Sequence, residues 1–89
     1  MFYYTYILES LKDKSLYIGY TSNLKQRLLQ HNSGKSTYTR QHLPYKLIHF
    51  EAFLHKTDAK KREVYLKSGW GFKTIKTLLS NYFSQTLPS

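Results

Sequence analysis

The sequence contains no cysteine, which excludes disulfides and thiolate-ligated zinc. That absence agrees with a reducing, cytoplasmic setting. No apolar run approaches the roughly 20 residues needed to span a membrane. The opening segment MFYYTYILES is apolar but lacks a basic leader and a small-residue cleavage site. It therefore reads as a strand and not as a signal peptide. No segment joins a lysine-rich face to a broad apolar one, which argues against binding to a membrane surface. Neither a repeat nor a low-complexity linker is present, and 89 residues suit one domain with a modest core. Acidic residues are the other scarcity. Five Asp and Glu stand against 14 Lys and Arg, a formal charge of +9. Such an excess suits a polyanionic partner, most often nucleic acid, although a merely basic soluble surface also accounts for it.

What the chain has in plenty is aromatic residues, with nine tyrosines and five phenylalanines. In a small domain these mostly fill the core, and they can also stack on unpaired bases. Residues 2–9 and 15–20 are rich in aromatic and β-branched types and predict a hairpin around the polar turn from Ser10 to Lys14. Thr21-Ser22-Asn23 offer capping side chains for a helix from about Leu24 to Asn32, with Gly34 as its stop. Residues 34–44 read as a polar loop ended by proline, and 45–54 as a third strand. Thr57 or Asp58 can cap a second helix running to about Lys67, where Gly69 and Gly71 break it. The spacing of Phe72, Ile75, Leu79 and Phe83 predicts an amphipathic third helix over 72–83. The order β-β-α-β-α-α describes an α/β domain with the first helix as the crossover between strands two and three.

Two helices carry polar groups where apolar ones belong. On a wheel of about 100° per residue, Leu24 and Leu28 define the packing face of the first helix, and Arg27 and His31 fall in the same arc. A buried, unpaired guanidinium is costly. Either a partner neutralises it, or the arc opens into a cleft that receives an anion, or the arginine stem packs while its head reaches water. In the second helix, Glu63 lies on the stripe set by Ala59 and Leu66, whereas Lys60, Lys61 and Lys67 point elsewhere. It reads as a solvated salt-bridge partner or as a hard-oxygen ligand for Mg²⁺ or Mn²⁺. Tyr4 and Tyr6 share one face of the first strand. Gly19, beside Tyr17 and Ile18 in the second strand, suggests a bulge or the close approach of another group.

These residues fall in a familiar order. Tyr4-Thr5-Tyr6 resembles the first half of the GIY-YIG signature, and Tyr17-Ile18-Gly19 matches its second half letter for letter. Arg27 and His31 match the helix motif that follows, and Glu63 the acidic residue of a later helix. The resemblance spans roughly residues 3–80. It is nearest to short standalone members similar to the N-terminal nuclease domain of a bacterial excinuclease. It implies a single domain over residues 1–84 with a short tail at 85–89, and a three-stranded antiparallel sheet flanked by three helices. It also implies an endonuclease that hydrolyses DNA phosphodiesters with a divalent metal, in DNA repair or processing. The first half departs from Gly-Ile-Tyr, Tyr20 stands where some members carry lysine, and Asn81 is the one nearby candidate for a late asparagine that some members use.

The resemblance assigns catalysis to Tyr6, Tyr17, Arg27, His31 and Glu63. A cation, Mg²⁺ or Mn²⁺, is expected on Glu63, and Arg27 is expected to hold the phosphate. Tyr17 is the expected base, with Tyr6 positioning it or the water. Because only about one phenol in a thousand is ionised at pH 7, Arg27 and the metal are expected to lower the tyrosine pKa. His31 is expected to take the phenol proton or to orient the ring. Lys35, Arg40 and Lys46 are candidates for phosphate contacts, and Tyr38 for stacking on an unpaired base. The expected partner is DNA, branched or single-stranded. The alternatives are a noncatalytic nucleic-acid-binding module on the same fold and a protein-interaction module.

Overall fold

The computed structural model describes residues 1–85. Three strands, β1 (Tyr3–Ser10), β2 (Leu16–Thr21) and β3 (Tyr45–Phe53), form one antiparallel sheet in the order β2-β1-β3. Between β2 and β3 run α1 (Leu24–Asn32) and a 3-10 turn (Thr39–His42), and after β3 come α2 (Lys56–Leu66), α3 (Gly69–Leu78) and α4 (Ser80–Gln85). The two outer strands are parallel to each other, so α1 crosses over the central strand as its position in the chain requires.

β1 is covered on both faces, and every residue from Thr5 to Ser10 is buried. That explains its nearly continuous apolar sequence in place of strict alternation. Tyr6 and Leu8 point to one side, where they join Tyr45 and pack against Leu24 and Leu28 of α1. Ile7 points to the other side, where it meets Leu66 of α2 and Ile75 of α3, with Leu79 and Phe83 packed against them. Thr5, also on that side, donates its hydroxyl to the carbonyl of Ala59 at 2.6 Å, which lets α2 sit close to the sheet. Arg62 of α2 reaches Glu51 of β3 with two donors, at 2.9 and 3.2 Å.

Three expectations about the helices are corrected. The single helix over 72–83 is two helices, so among the described residues four α-helices flank the sheet where three were expected. The second helix ends at Leu66, close to the expected Lys67, but Gly69 and Gly71 stand inside the next helix and not in the break between the two. Ser68 caps α3, its hydroxyl accepting from the Gly71 amide at 3.2 Å. A Cβ on Gly71 would collide with the Tyr65 carbonyl and Leu66 Cα, so the absence of a side chain is what lets α3 start against the end of α2. Close packing, not backbone freedom, is the reason for that glycine. Finally, α2 is capped neither by Thr57 nor by Asp58. The His55 Nδ1 accepts from the Thr57 amide at 3.3 Å, and Asp58 lies in the first turn, where its charge suits the helix dipole. Of the expected tail, Gln85 closes α4 and residues 86–89 lie outside the described residues.

The two glycines give a paired test. Gly71→Ala should lower stability in urea unfolding by about 1–3 kcal/mol or more, because it forces backbone apart. Gly69→Ala, with nothing within 4 Å of the added methyl, should change it by less than about 1 kcal/mol.

Candidate active site

The hairpin register sets Tyr6 opposite Gly19. A Cβ on residue 19 would overlap the Tyr6 Oη and Cζ, so the phenol ring lies across the β2 backbone where a side chain is missing. The close approach expected at this glycine is therefore made by Tyr6 itself. Lying there, the Tyr6 hydroxyl meets the His31 Nε2 at 2.9 Å. The His31 Nδ1 meets the Thr39 hydroxyl, also at 2.9 Å. The imidazole is fully buried and both nitrogens are engaged. Its two polarities, phenol to imidazole to threonine or the reverse, are tautomers of one chain of hydrogen bonds.

Tyr17 on β2 brings its ring to the same side. Its centroid is 4.8 Å from His31 and 6.3 Å from Tyr6. Arg27, half-buried one turn before His31, stands against both phenols, and these contacts, with Tyr6 first, hold its guanidinium firmly in the charged form. It also donates to the Gln30 side chain at 3.2 Å. Glu63 approaches from α2 and adds negative potential at Tyr6. Its carboxylate accepts from Lys67 Nζ at 3.0 Å, with the glutamate side chain 22% exposed and the lysine 53%.

Burial dominates the protonation of this cluster. It pushes the Tyr6 phenol up to about 12, although the Arg27 guanidinium pulls the other way. The expected lowering by Arg27 is thus outweighed at Tyr6, and the phenol stays protonated. Burial, aided by the positive charge of Arg27, takes His31 down to about 4. A neutral imidazole of such low basicity does not hold the proton of that phenol in the resting protein. Of the two tasks expected of His31, the geometry fits orientation.

The remaining candidates divide. Tyr38 stands at the site, 5.7 Å from the Tyr17 ring and exposed. Lys35, just past the end of α1, and Arg40, in the 3-10 turn, are exposed. Lys46 is not part of the cluster: its Nζ lies 5.0 Å from the ring of Tyr82 on α4. Asn81 also lies on α4, inside a helix and exposed. Two residues were missed in the sequence. Thr39 opens the 3-10 turn inside a segment that the sequence marks only as a polar loop, with no periodicity to single it out. Lys67 was announced by its spacing of four residues from Glu63 on one helix.

The model of the GIY-YIG catalytic domain matches residues 2–75, from β1 into α3. The chain belongs to the GIY-YIG family. GIY-YIG is a nuclease family, and similar proteins include UPF0213 proteins. That of Clostridium perfringens is 49% identical over 65 residues, which are 72% of this chain and 69% of the relative. That of Streptococcus pneumoniae is also 49% identical over 65 residues, 72% of this chain and 65% of the relative. The solution NMR structure of a UPF0213 protein from Bacillus halodurans matches with a TM-score of 0.55 and 38% identity, covering 88% of this chain and 85% of that one. Among the described residues of this GIY-YIG chain, no helix is long and apolar enough to cross a membrane.

The buried imidazole predicts a pH dependence. The unfolded chain takes up a proton at His31 near pH 6.5, whereas the folded protein does so only near pH 4. Between those values the unfolded state binds more protons, so stability falls as pH falls. Urea unfolding should show a loss of about 2 kcal/mol from this group between pH 7 and pH 5. His31→Gln should remove that component, and an unchanged pH profile in the variant would count against it.

Proposed function

We propose that this protein is a divalent-metal-dependent endonuclease acting on DNA phosphodiesters. The observation that carries the reading is the convergence of two phenols, a guanidinium and an oriented imidazole at one edge of the sheet, with the Glu63 carboxylate near enough to act electrostatically on Tyr6. The net charge of +9 supplies sequence-independent attraction to the backbone of the substrate.

The donor set fits a hard cation. His31 has no nitrogen to spare, and among the described residues no three His, Cys, Asp or Glu gather as a closed metal site. Glu63 alone offers hard oxygens, which suits Mg²⁺ or Mn²⁺ held by one carboxylate, waters and a substrate phosphate. The ion pair with Lys67 is partly solvent-exposed and weak enough to yield the carboxylate to such a cation. When bound, the metal supplies Lewis-acid stabilisation of the phosphate and the leaving oxygen.

The chain's own residues supply the rest. Arg27 presents planar paired donors to the non-bridging oxygens and offsets charge that grows there in the transition state. Tyr6, kept protonated, orients the attacking water by a hydrogen bond through its Oη, which His31 and Thr39 fix in place. Tyr17 Oη is the atom that takes the proton of the water. The charge of Arg27 stands beside it, where negative charge develops. This division leaves the general base on the less buried of the two phenols.

Glu63→Gln should abolish Mg²⁺-dependent cutting of labelled DNA while leaving the fold and most DNA affinity; full activity in that variant would refute the metal role. Arg27→Ala should reduce single-turnover cleavage by about 100-fold or more, in the range seen when a transition-state donor is lost. If only affinity suffers and the cleavage rate at saturation is unchanged, the arginine assignment fails. Tight, salt-sensitive binding of duplex, branched and single-stranded DNA with no cleavage of any would favour the noncatalytic module.

A further inference from the structure

Resting on the nuclease reading above, we propose that the outer edge of β2 carries a stacking groove for an unpaired DNA strand adjoining the cleaved phosphate. β2 is an edge strand, so among the described residues no other strand covers its far side. Along it lie two open clefts of about 720 and about 710 Å³, which share Lys14, Leu16, Phe72 and Ile75 and so form one continuous trough. The first is lined by Tyr17, and the trough therefore begins at the candidate site and runs beneath α3. Each cleft is within the roughly 300–1,000 Å³ of pockets that hold small ligands such as a nucleotide.

The lining has the chemistry of a nucleic-acid strand. Tyr38 is 67% exposed at one end and Phe72 is 54% exposed in the middle, two rings the core leaves in solvent. Lys14, Lys67 and Lys76 surround them, and the Nζ of Lys76 lies 4.8 Å from the Phe72 ring centroid. Among the described residues, the one carboxylate in the lining is Glu9, which is buried and accepts a hydrogen bond from Tyr82. Of the three lysines, Lys67 pairs with Glu63 through the exposed ion pair that links the trough to the candidate metal ligand. Exposed rings interleaved with cations match bases and phosphates in alternation. A duplex keeps its base faces stacked inside, so only unpaired bases can use these rings.

The test measures binding in EDTA, where no metal-dependent cutting occurs. Fluorescence anisotropy compares a labelled single-stranded oligothymidylate with a hairpin duplex of equal length. Phe72→Ala and Tyr38→Ala should each weaken single-strand binding about tenfold or more, the scale of losing one stacked base. Duplex affinity should stay within about twofold, and Phe72→Trp should retain single-strand affinity. Both rings are exposed, and circular dichroism checks that the variants fold. Equal losses on the two DNA forms, or single-strand affinity unchanged in both alanine variants, would overturn the groove. Cleavage is scored separately with Mg²⁺. Ring-dependent binding without any cutting overturns the nuclease reading and leaves the groove standing, whereas cutting with ring-independent binding overturns the groove alone.

Discussion

The Tyr6 ring can lie across β2 only because residue 19 has no side chain, and much else depends on that crossing. It carries the phenol from the buried central strand out to the sheet edge, where α1 presents His31. It brings Tyr17 into the same ring cluster and puts Arg27 against both phenols. A ring at this depth is desolvated, so its proton is held tightly and its hydrogen bond with His31 is directional and costly to break. The constraint is steric at its origin and electrostatic in its result.

Charge is organised by scarcity. Four of the five acidic residues have a side-chain partner, and the fifth, Asp58, lies in the first turn of α2. Glu9 accepts from Tyr82, Asp13 from His42 and Ser15, and Glu51 from Arg62 and His49, while Glu63 pairs with Lys67. Among the described residues most of the cations consequently have no carboxylate partner, and the surface keeps a positive potential that screening by salt weakens. Glu63 differs from the others in its setting. It has a single, exposed ion-pair partner and acts electrostatically on the Tyr6 phenol, whereas Glu51, buried to a similar degree, is held by both Arg62 and His49.

Periodicity made part of the candidate site legible: the helical repeat put Arg27, His31 and Glu63 on inward stripes, where polar groups stand out. It was the resemblance to GIY-YIG proteins, through Tyr17-Ile18-Gly19 and the order of the residues after it, that joined the two tyrosines to them. Thr39 was not legible, since no repeat governs a polar loop and its role is fixed only by where His31 ends up. Nor was the protonation of Tyr6, because burial and the attraction of Arg27 oppose each other and the sequence does not say which is larger. Gly69 and Gly71 misled for a related reason. Their intrinsic dislike of helix is worth about 1 kcal/mol each, and a cap at Ser68 with close packing against Tyr65 and Leu66 outweighs it.

The sheet order has a consequence for assembly. β1 precedes both of its partners in the chain, yet it is the strand between them. The hairpin with β2 closes over a short turn, but the other edge of β1 waits for β3, whose Tyr45 pairs with Ser10 and whose Phe53 pairs with Tyr3. The chain must therefore close a long, entropically expensive loop before its most apolar strand is shielded on both edges. During synthesis the hairpin would emerge from the ribosome with Tyr6 already opposite Gly19 but with one ladder of hydrogen bonds unmade. The scaffold of the site is thus begun by local pairing and locked by distant pairing, and the exposed edge in between is the interval in which aggregation competes with folding.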